Sequence, residues 1–257
     1  ELVIQKGTLL KAAHTGMLAA LGITKTAVTR KPRIAVLATG DELVDADEEA
    51  PQGKVRTSNT YALYSQILSY GGIPVNIGIA RDEPEDLREK IESALVCDLI
   101  LTSGGVSMGD YDLVKDVLTK MGADIKFWKI AMRPGKPILF STLGERPVFG
   151  LPGNPVSSMV GFELFVRPAI LKMLGQTSDD RQEADAFLEE DIEKKKGLRY
   201  FLRARTRWEN GGYLTKTTGP QGSGILKSMM LANSFIILPE EEEFIKKGTK
   251  VRVRFLN

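Results

Sequence analysis

Histidine and cysteine are nearly absent from this 257-residue chain, at one each. A single cysteine, Cys97, excludes an internal disulfide framework and any multi-cysteine metal site. It follows the apolar Val96 and precedes an apolar run, so it reads as a small buried hydrophobe. A single histidine, His14, lies far upstream of the glycine-rich loops, which leaves Ser–His–Asp chemistry with little support. His14 reads as a solvated surface residue. A Walker A pattern is missing, which argues against a P-loop kinase or GTPase, and the Gly-x-Gly-x-x-Gly fingerprint of a dinucleotide site is missing too. No apolar run reaches membrane-spanning length and no signal peptide is visible, so the cytoplasm is the expected location, with no membrane partner. Charge of one sign is not in excess: 35 Lys and Arg stand against 33 Asp and Glu. That balance predicts no nucleic-acid binding, while leaving room for a local basic patch. The remaining composition is that of a globular chain, and its length allows one large or two ordinary domains. The chain opens on Glu1 rather than Met, which reads as a fragment or a processed chain.

What is present is organised around residues 98–112, Asp-Leu-Ile-Leu-Thr-Ser-Gly-Gly-Val-Ser-Met-Gly-Asp-Tyr-Asp. Residues 99–102 form a buried-strand pattern, and residues 113–118 carry apolar side chains at helical spacing. Strand, glycine turn and helix in succession place a ligand site outside the carboxyl end of a strand in an open α/β sheet. Glycines let backbone N–H groups approach an anion, and a helix start adds its positive end. Asp110 and Asp112 add hard oxygens of the kind Mg2+ takes beside phosphates. A tight turn with Asp110 as the helix N-cap fits the same residues.

The rest of the chain repeats that plan. A helix is expected over residues 8–21, capped by Thr8, with Leu9, Leu10, Ala13, Met17, Leu18 and Leu21 on its apolar face. Residues 24–32 read as a linker. Residues 34–38 are a continuous apolar strand of the parallel-sheet kind. A helix capped by Ser58-Asn59, a strand over residues 73–79 and a helix opened by Pro84 follow. After the central strand and its helix come a strand over residues 123–128, two strands about Gly144-Glu145, and an apolar helix over residues 156–174. Such alternation predicts a doubly wound, mainly parallel sheet. Beyond the polar linker at residues 176–182, short alternating runs predict a small all-β domain with no helix. The expected domains are therefore 1–30, 31–175 and 176–257.

Three loops follow apolar strands and are expected to meet at one sheet edge: Thr39-Gly40-Asp41-Glu42, residues 103–112, and residues 150–155. Lys129, Arg133 and Lys136 add positive charge before the third. Backbone donors, cations and carboxylates together suit an oxyanion or phosphate ester with a divalent ion.

Four stretches, Ala38-Thr39-Gly40-Asp41-Glu42-Leu43, Ser103-Gly104-Gly105-Val106-Ser107, Pro134-Gly135-Lys136-Pro137 and Gly150-Leu151-Pro152-Gly153-Asn154-Pro155, resemble in order and spacing the MoeA family. That family is the molybdopterin molybdenumtransferase of molybdenum cofactor synthesis and includes the E domain of gephyrin. The resemblance implies an α/β domain similar to MogA and CinA over residues 33–175, a β-barrel over residues 176–257, and a remnant of a composite first domain over residues 1–30. It also implies an inserted domain and an N-terminal helix that these residues do not include. The implied reaction is Mg2+-dependent insertion of molybdate into adenylated molybdopterin with release of AMP. The implied partners are molybdopterin-AMP, molybdate, a second copy in the full-length family and a MogA-like enzyme. Family functional positions match at Glu42, Asp112, Lys129, Pro152, Pro155 and Ser223, and at Arg133, where many members have Lys. On that basis Asp112, with Asp41 or Glu42, would hold the metal. Thr39, Gly40 and the run Ser103, Gly104, Gly105, Val106 and Ser107 would hold the pterin phosphate. Lys129, Arg133 and Lys136 would hold molybdate or phosphates. Pro152, Gly153, Asn154 and Pro155 would shape the pocket, with Ser223 reaching it from the barrel. A molybdopterin-binding remnant and a gephyrin-like scaffold are the alternative readings.

Overall fold

A computed structural model of the chain describes residues 1–106, 112–176 and 182–256. The expectations placed on Ser107 and Asp110 lie outside those residues. The first part holds α1 (Ala12–Ala20), β1 (Arg33–Thr39), β2 (Leu43–Val44), β3 (Val55–Arg56), α2 (Ser58–Ser69), β4 (Ile73–Ala80), α3 (Pro84–Ala94) and β5 (Leu99–Ser103). It continues with α4 (Leu113–Lys120), β6 (Asp124–Trp128), β7 (Met132–Arg133), β8 (Leu139–Leu143), β9 (Arg146–Leu151) and α5 (Pro155–Gly161). A π-helical turn, Phe162–Val166, joins α5 to α6 (Arg167–Met173). The second part holds β10 (Glu183–Leu188), β11 (Ile192–Glu193), β12 (Arg199–Glu209), β13 (Gly212–Thr217), α7 (Leu226–Met230), β14 (Ser234–Leu238), β15 (Phe244–Ile245) and β16 (Lys250–Phe255).

The first sheet runs β4-β1-β5-β9-β8-β6. Its first four strands are parallel, as the apolar runs predict. β8 and β6 are antiparallel additions, because β8 returns to β9 through the two-residue turn at Gly144-Glu145. Side chains of β1 alternate between two cores. Ala35 and Leu37 pack with Leu87 and Ile91 of α3 and Val114 and Val117 of α4. Ile34 and Val36 pack with Leu63 and Ile67 of α2, Phe162 and Ile170. Burial on both faces is why β1 and β5 carry no polar alternation.

The second sheet closes on itself: β13-β10-β16-β14-β12, with β12 pairing back to β13. The result is a five-stranded barrel filled by residues such as Leu188, Leu202, Ile236 and Val253. Two features were not visible as patterns. The short helix α7 sits inside the segment expected to be all β. β7, from the α/β part, pairs in parallel with β12, setting Tyr200 beside Arg133. A fourth core, including Met132, Ile138, Val156, Phe201 and Phe235, joins the two parts.

Two expected caps are corrected. α1 begins at Ala12, not after Thr8, whose hydroxyl donates back to the Gln5 carbonyl oxygen at 2.6 Å. His14 Nδ1 accepts from the Lys11 N–H at 3.0 Å and so serves the helix start itself. No residue of α1 is buried, so its apolar face has no core beneath it. α2 has Thr57 at its N-cap, and Ser58 and Asn59 are already helical. The linker is tied down by Arg30, whose Nη1 and Nη2 each donate to Asp98 at 2.7 Å. Among the described residues no helix is long and apolar enough to cross a membrane.

Candidate active site

The three loops do converge. Gly104 N–H donates to the Leu151 carbonyl oxygen at 3.0 Å, joining the second loop to the third. Gly104 has φ +99°, and a Cβ there would fall inside contact distance of the Thr39 carbonyl oxygen. Gly105 has φ +63°, and a Cβ there would lie 2.7 Å from Thr39 Oγ1 and 2.8 Å from Val114 Cγ2. Only glycine permits both the left-handed backbone and this approach to the first loop. A Cβ on Gly153 would sit 3.6 Å from Gly104 Cα, so the third loop also abuts the second. Thr39 Oγ1 lies beneath the glycines, buried and without a hydrogen-bond partner among the described residues. A buried hydroxyl with an unused donor beside a glycine turn is a polar floor for a ligand.

Asn59 fastens this junction and was not singled out from the sequence. Its Nδ2 donates to Ser103 Oγ at 2.8 Å and to the Gly153 carbonyl oxygen at 2.9 Å. The available signal was a polar side chain on the first turn of α2, which reads equally as a cap. Val106 is buried beside Gly150, and Pro152 is buried. Asn154 occupies the N-cap position of α5 without a side-chain cap bond, and Pro155 is the first helical residue. Ser223 comes from the barrel to this point, its carbonyl oxygen accepting from Val156 N–H at 3.0 Å.

The acidic residues take three different places. Asp112 is only 1% exposed. It is the N-cap of α4, a role the alternative reading of the turn gave to Asp110: Oδ1 accepts from Lys115 N–H at 3.0 Å. Its Oδ2 accepts from Trp128 Nε1–H at 2.8 Å. Glu42 is exposed and its carboxylate folds over Gly40, where a Cβ would meet Oε2 at 2.5 Å. Asp41 turns to Asp82, accepting its N–H at 3.1 Å while Asp41 N–H donates back at 3.4 Å. Asp41 therefore secures the turn after β4. Among the described residues, no three His, Cys, Asp or Glu side chains gather to hold a metal ion.

The basic residues form two groups. Lys129 Nζ lies 3.8 Å from the Trp128 ring centroid, with Lys115 Nζ at 4.2 Å from the same ring. Lys136 is half-buried, its carbonyl oxygen accepting from Ile130 N–H at 2.8 Å. Arg133 turns instead toward the barrel, its guanidinium 5.6 Å from the Tyr200 ring centroid. There it lines a cleft of about 590 Å³ together with Tyr200, Arg203, Gln221 and Gly222. Arg203 is 1% exposed. Its Nε donates to Ser228 Oγ at 3.1 Å and its Nη2 to the Gly222 carbonyl oxygen at 3.2 Å. Neither partner is an anion. Burial, and then the nearby charge of Arg133, push its pKa down to about 10. Neither guanidinium bonds a carboxylate among the described residues, which favours an incoming anion. Three acids also line the cleft: Glu190 Oε1 accepts from Thr217 N–H at 2.6 Å, Asp191 Oδ1 accepts from Lys247 N–H at 2.6 Å, and Glu193 is exposed. Arg203 too escaped sequence reasoning. Its signal was a charge within the apolar run Tyr200-Phe201-Leu202-Arg203-Ala204. Gly222 and Ser223 link this cleft to the start of α5.

Two family models match the chain. One, described as "Probable molybdopterin binding domain", covers residues 35–172, and the other, "MoeA C-terminal region (domain IV)", covers residues 185–256. The molybdopterin molybdenumtransferase of Bacillus subtilis is 35% identical over 254 residues, 98% of this chain and 59% of the relative. That of Nostoc is 35% identical over 257 residues, again 98% and 59%. The crystal structure of a MoeA protein from Pyrococcus horikoshii superposes with a TM-score of 0.84 at 33% identity, covering 99% of this chain and 62% of that one. The chain thus spans about three fifths of the length of these relatives. Matched in both its α/β sheet and its closed barrel, the chain belongs to the MoeA family of molybdenum cofactor biosynthesis.

Proposed function

We propose that this chain carries the molybdenum-inserting site of a molybdopterin molybdenumtransferase. On this reading molybdate enters the dithiolene of adenylated molybdopterin, the phosphoanhydride is cleaved, and AMP leaves. The observation that carries it is the pair Arg133 and Arg203, one exposed and one buried, lining one cleft with no carboxylate bonded to either among the described residues. Such a site gains most from a compact dianion able to accept several N–H bonds. Molybdate is the oxyanion that the relatives' printed name implies. Lys129 and Lys136 supply further cations on the connection between β6 and β8.

The glycine turn supports the pterin half of the reading. The Gly105 backbone N–H, beside the Thr39 hydroxyl that has no partner among the described residues, fits a phosphate oxygen better than a side chain. Gly153, Asn154 and Pro155 wall the same opening, and Asn59 keeps it from spreading.

Mg2+ is usually held by one or two carboxylates together with substrate phosphates and water. Asp112 fits that mode. Its Oδ1 and Oδ2 both accept hydrogen bonds that set the orientation of the carboxylate, and burial fixes its position. Glu42 would be the second carboxylate. When bound, the ion would neutralise charge on the phosphoanhydride during cleavage. Asp112 holds its orientation, Arg133 and Arg203 hold the oxyanion, and the glycine turn excludes side chains from the phosphate.

The test is calorimetric titration of the chain with molybdate and with adenylated molybdopterin, with AMP release followed with and without Mg2+. Binding of both ligands is expected, with Mg2+-dependent AMP release that Asp112→Ala abolishes. Arg203→Met should weaken molybdate binding by about tenfold or more, the loss of a charged hydrogen-bonding partner. A native chain that binds neither ligand would refute the assignment.

A further inference from the structure

We propose that Gln221 is a positioning residue that holds Arg203 and the Gly222-Ser223 turn as one unit against the start of α5. Its functional role rests on the reading of Arg203 as an oxyanion group. The barrel edge is interrupted at this point. Along one side of β12, β7 pairs only as far as Tyr200, and β13 pairs only from Ala204 onward. Arg203 falls between the two, and a side chain takes the place of the missing strand. Gln221 Oε1 accepts from the Arg203 N–H at 2.9 Å, and Gln221 Nε2 donates to the Arg203 carbonyl oxygen at 3.2 Å. One amide thus serves both backbone groups of Arg203, as a paired strand residue would. The same Nε2 donates to the Gly219 carbonyl oxygen at 2.9 Å, which folds the loop back on itself.

The Arg203 side chain is tied to the same loop. Its Nε and Nη2 donate to Ser228 Oγ and to the Gly222 carbonyl oxygen, at 3.1 Å and 3.2 Å. Thr218 N–H donates to the Arg203 carbonyl oxygen at 2.9 Å. Arg203 and residues 218–228 therefore form one hydrogen-bonded unit, with Gln221 at its centre. An amide suits this position because it donates and accepts at once. A carboxylate would lose the donor and set a charge against two carbonyl oxygens. The unit reaches the other part of the molecule through Ser223, whose carbonyl oxygen accepts from Val156 N–H at 3.0 Å. Val156 follows Pro155 at the start of α5, so its N–H has no acceptor within the helix. Asn154 supplies no side-chain cap bond. The barrel loop therefore caps the helix whose first residues wall the pterin opening. By this route Gln221 fixes both the direction of a buried guanidinium and the seat of α5, without touching either ligand.

Gln221→Met keeps the length of the side chain and loses its hydrogen bonds. Thr206→Val is the control for barrel stability. Thr206 is buried inside the barrel, and among the described residues its hydrogen bonds go to Thr215, Ser234 and Asn233 rather than to the loop. Isothermal titration of the full chain with molybdate, amide hydrogen exchange at Val156 by NMR and a thermal melt are run on each protein. In Gln221→Met, molybdate affinity should fall about three- to tenfold, because the charged donor is displaced. The Val156 amide should exchange about fivefold or more faster, because its acceptor is released. In Thr206→Val both readings should stay within about twofold while the melting temperature falls. In the native chain, saturating molybdate should slow Val156 exchange, since securing Arg203 secures the loop. Unchanged affinity or unchanged exchange in Gln221→Met, with native binding intact, overturns the positioning role. Equal losses in both variants, tracking the melting temperature, overturn it as mere packing. Should Gln221→Met fail to fold, the native chain decides: Val156 exchange that molybdate leaves unchanged overturns the coupling. A native chain that binds no molybdate refutes the oxyanion reading itself, and the functional role of Gln221 with it.

Discussion

Replacing Asn59 by alanine tests whether the three loops are held or merely adjacent. The side chain donates two hydrogen bonds from one nitrogen, to Ser103 Oγ and to the Gly153 carbonyl oxygen. The two acceptors differ in what their loss costs. Ser103 is 2% exposed, so an abandoned hydroxyl oxygen pays a desolvation penalty of about 1–2 kcal/mol. Gly153 lies on an exposed residue, so water replaces part of its bond and the loss is about 1 kcal/mol. Together Asn59→Ala should lower unfolding stability by about 2–3 kcal/mol. Asn59→Asp keeps the volume but sets a carboxylate against the Gly153 carbonyl oxygen, and should be at least as damaging. Urea denaturation followed by circular dichroism measures both. Titration with adenylated molybdopterin should show weakened binding in the same variants, since the Gly153 loop is released from Ser103. A stability change below about 0.5 kcal/mol, the range of an ordinary surface substitution, would refute Asn59 as the fastening. Lost stability with unchanged pterin binding would confine its role to folding.

Two further outcomes follow from single positions. Gly104→Ala combines a left-handed backbone, φ +99°, with a collision against the Thr39 carbonyl oxygen, and should cost about 2 kcal/mol or more; a thermal melt matching the native protein would contradict the close approach. Asp98 is held at about 2 against a usual 3.8, first by the Arg30 hydrogen bonds and also by the Arg33 N–H, against the opposing effect of burial. A depressed carboxyl contributes stability that is complete above its unfolded value near 4 and is lost as pH falls toward 2. The gap converts to about 2.4 kcal/mol at most, and Arg30, whose side chain is 71% exposed, reduces it to about 1 kcal/mol. Asp98→Asn should therefore be less stable than the native protein at pH 6 and equal to it near pH 2 in urea titrations; a gap that persists at low pH would point to another cause.

Much of the α/β part was legible because its signal is local. Residues 34–38 and 99–102 are apolar without alternation, and strands buried on both faces leave no other reading. Gly104-Gly105 marked a turn, and the structure adds why glycine is required there: Thr39 lies against both. The antiparallel edge was half visible, in the turn at Gly144-Glu145 between two short runs. Where the reading of residues fell short, contacts that composition and spacing do not show were decisive. Thr8 looks like a cap, but His14 takes the helix start and α1 has nothing beneath it. Asp112 caps α4, and its second oxygen meets Trp128, sixteen residues on. Asp41 was read as a metal residue beside Asp112 and Glu42, and the structure adds that its Oδ1 accepts the N–H of Asp82, 41 residues away.

The sequence by itself determined the strand and helix plan, the switch to a β-rich second part, and the loops at which chemistry would gather, since apolar period and turn chemistry are written in neighbouring residues. Only the tertiary structure decided that Met132–Arg133 joins the barrel, that Arg203 lies buried beside Arg133, that Asn59 ties Ser103 to the Gly153 loop, and that Trp128 meets Asp112. These depend on which groups lose water together and which donors meet acceptors across long stretches of chain. No window of adjacent residues contains that information.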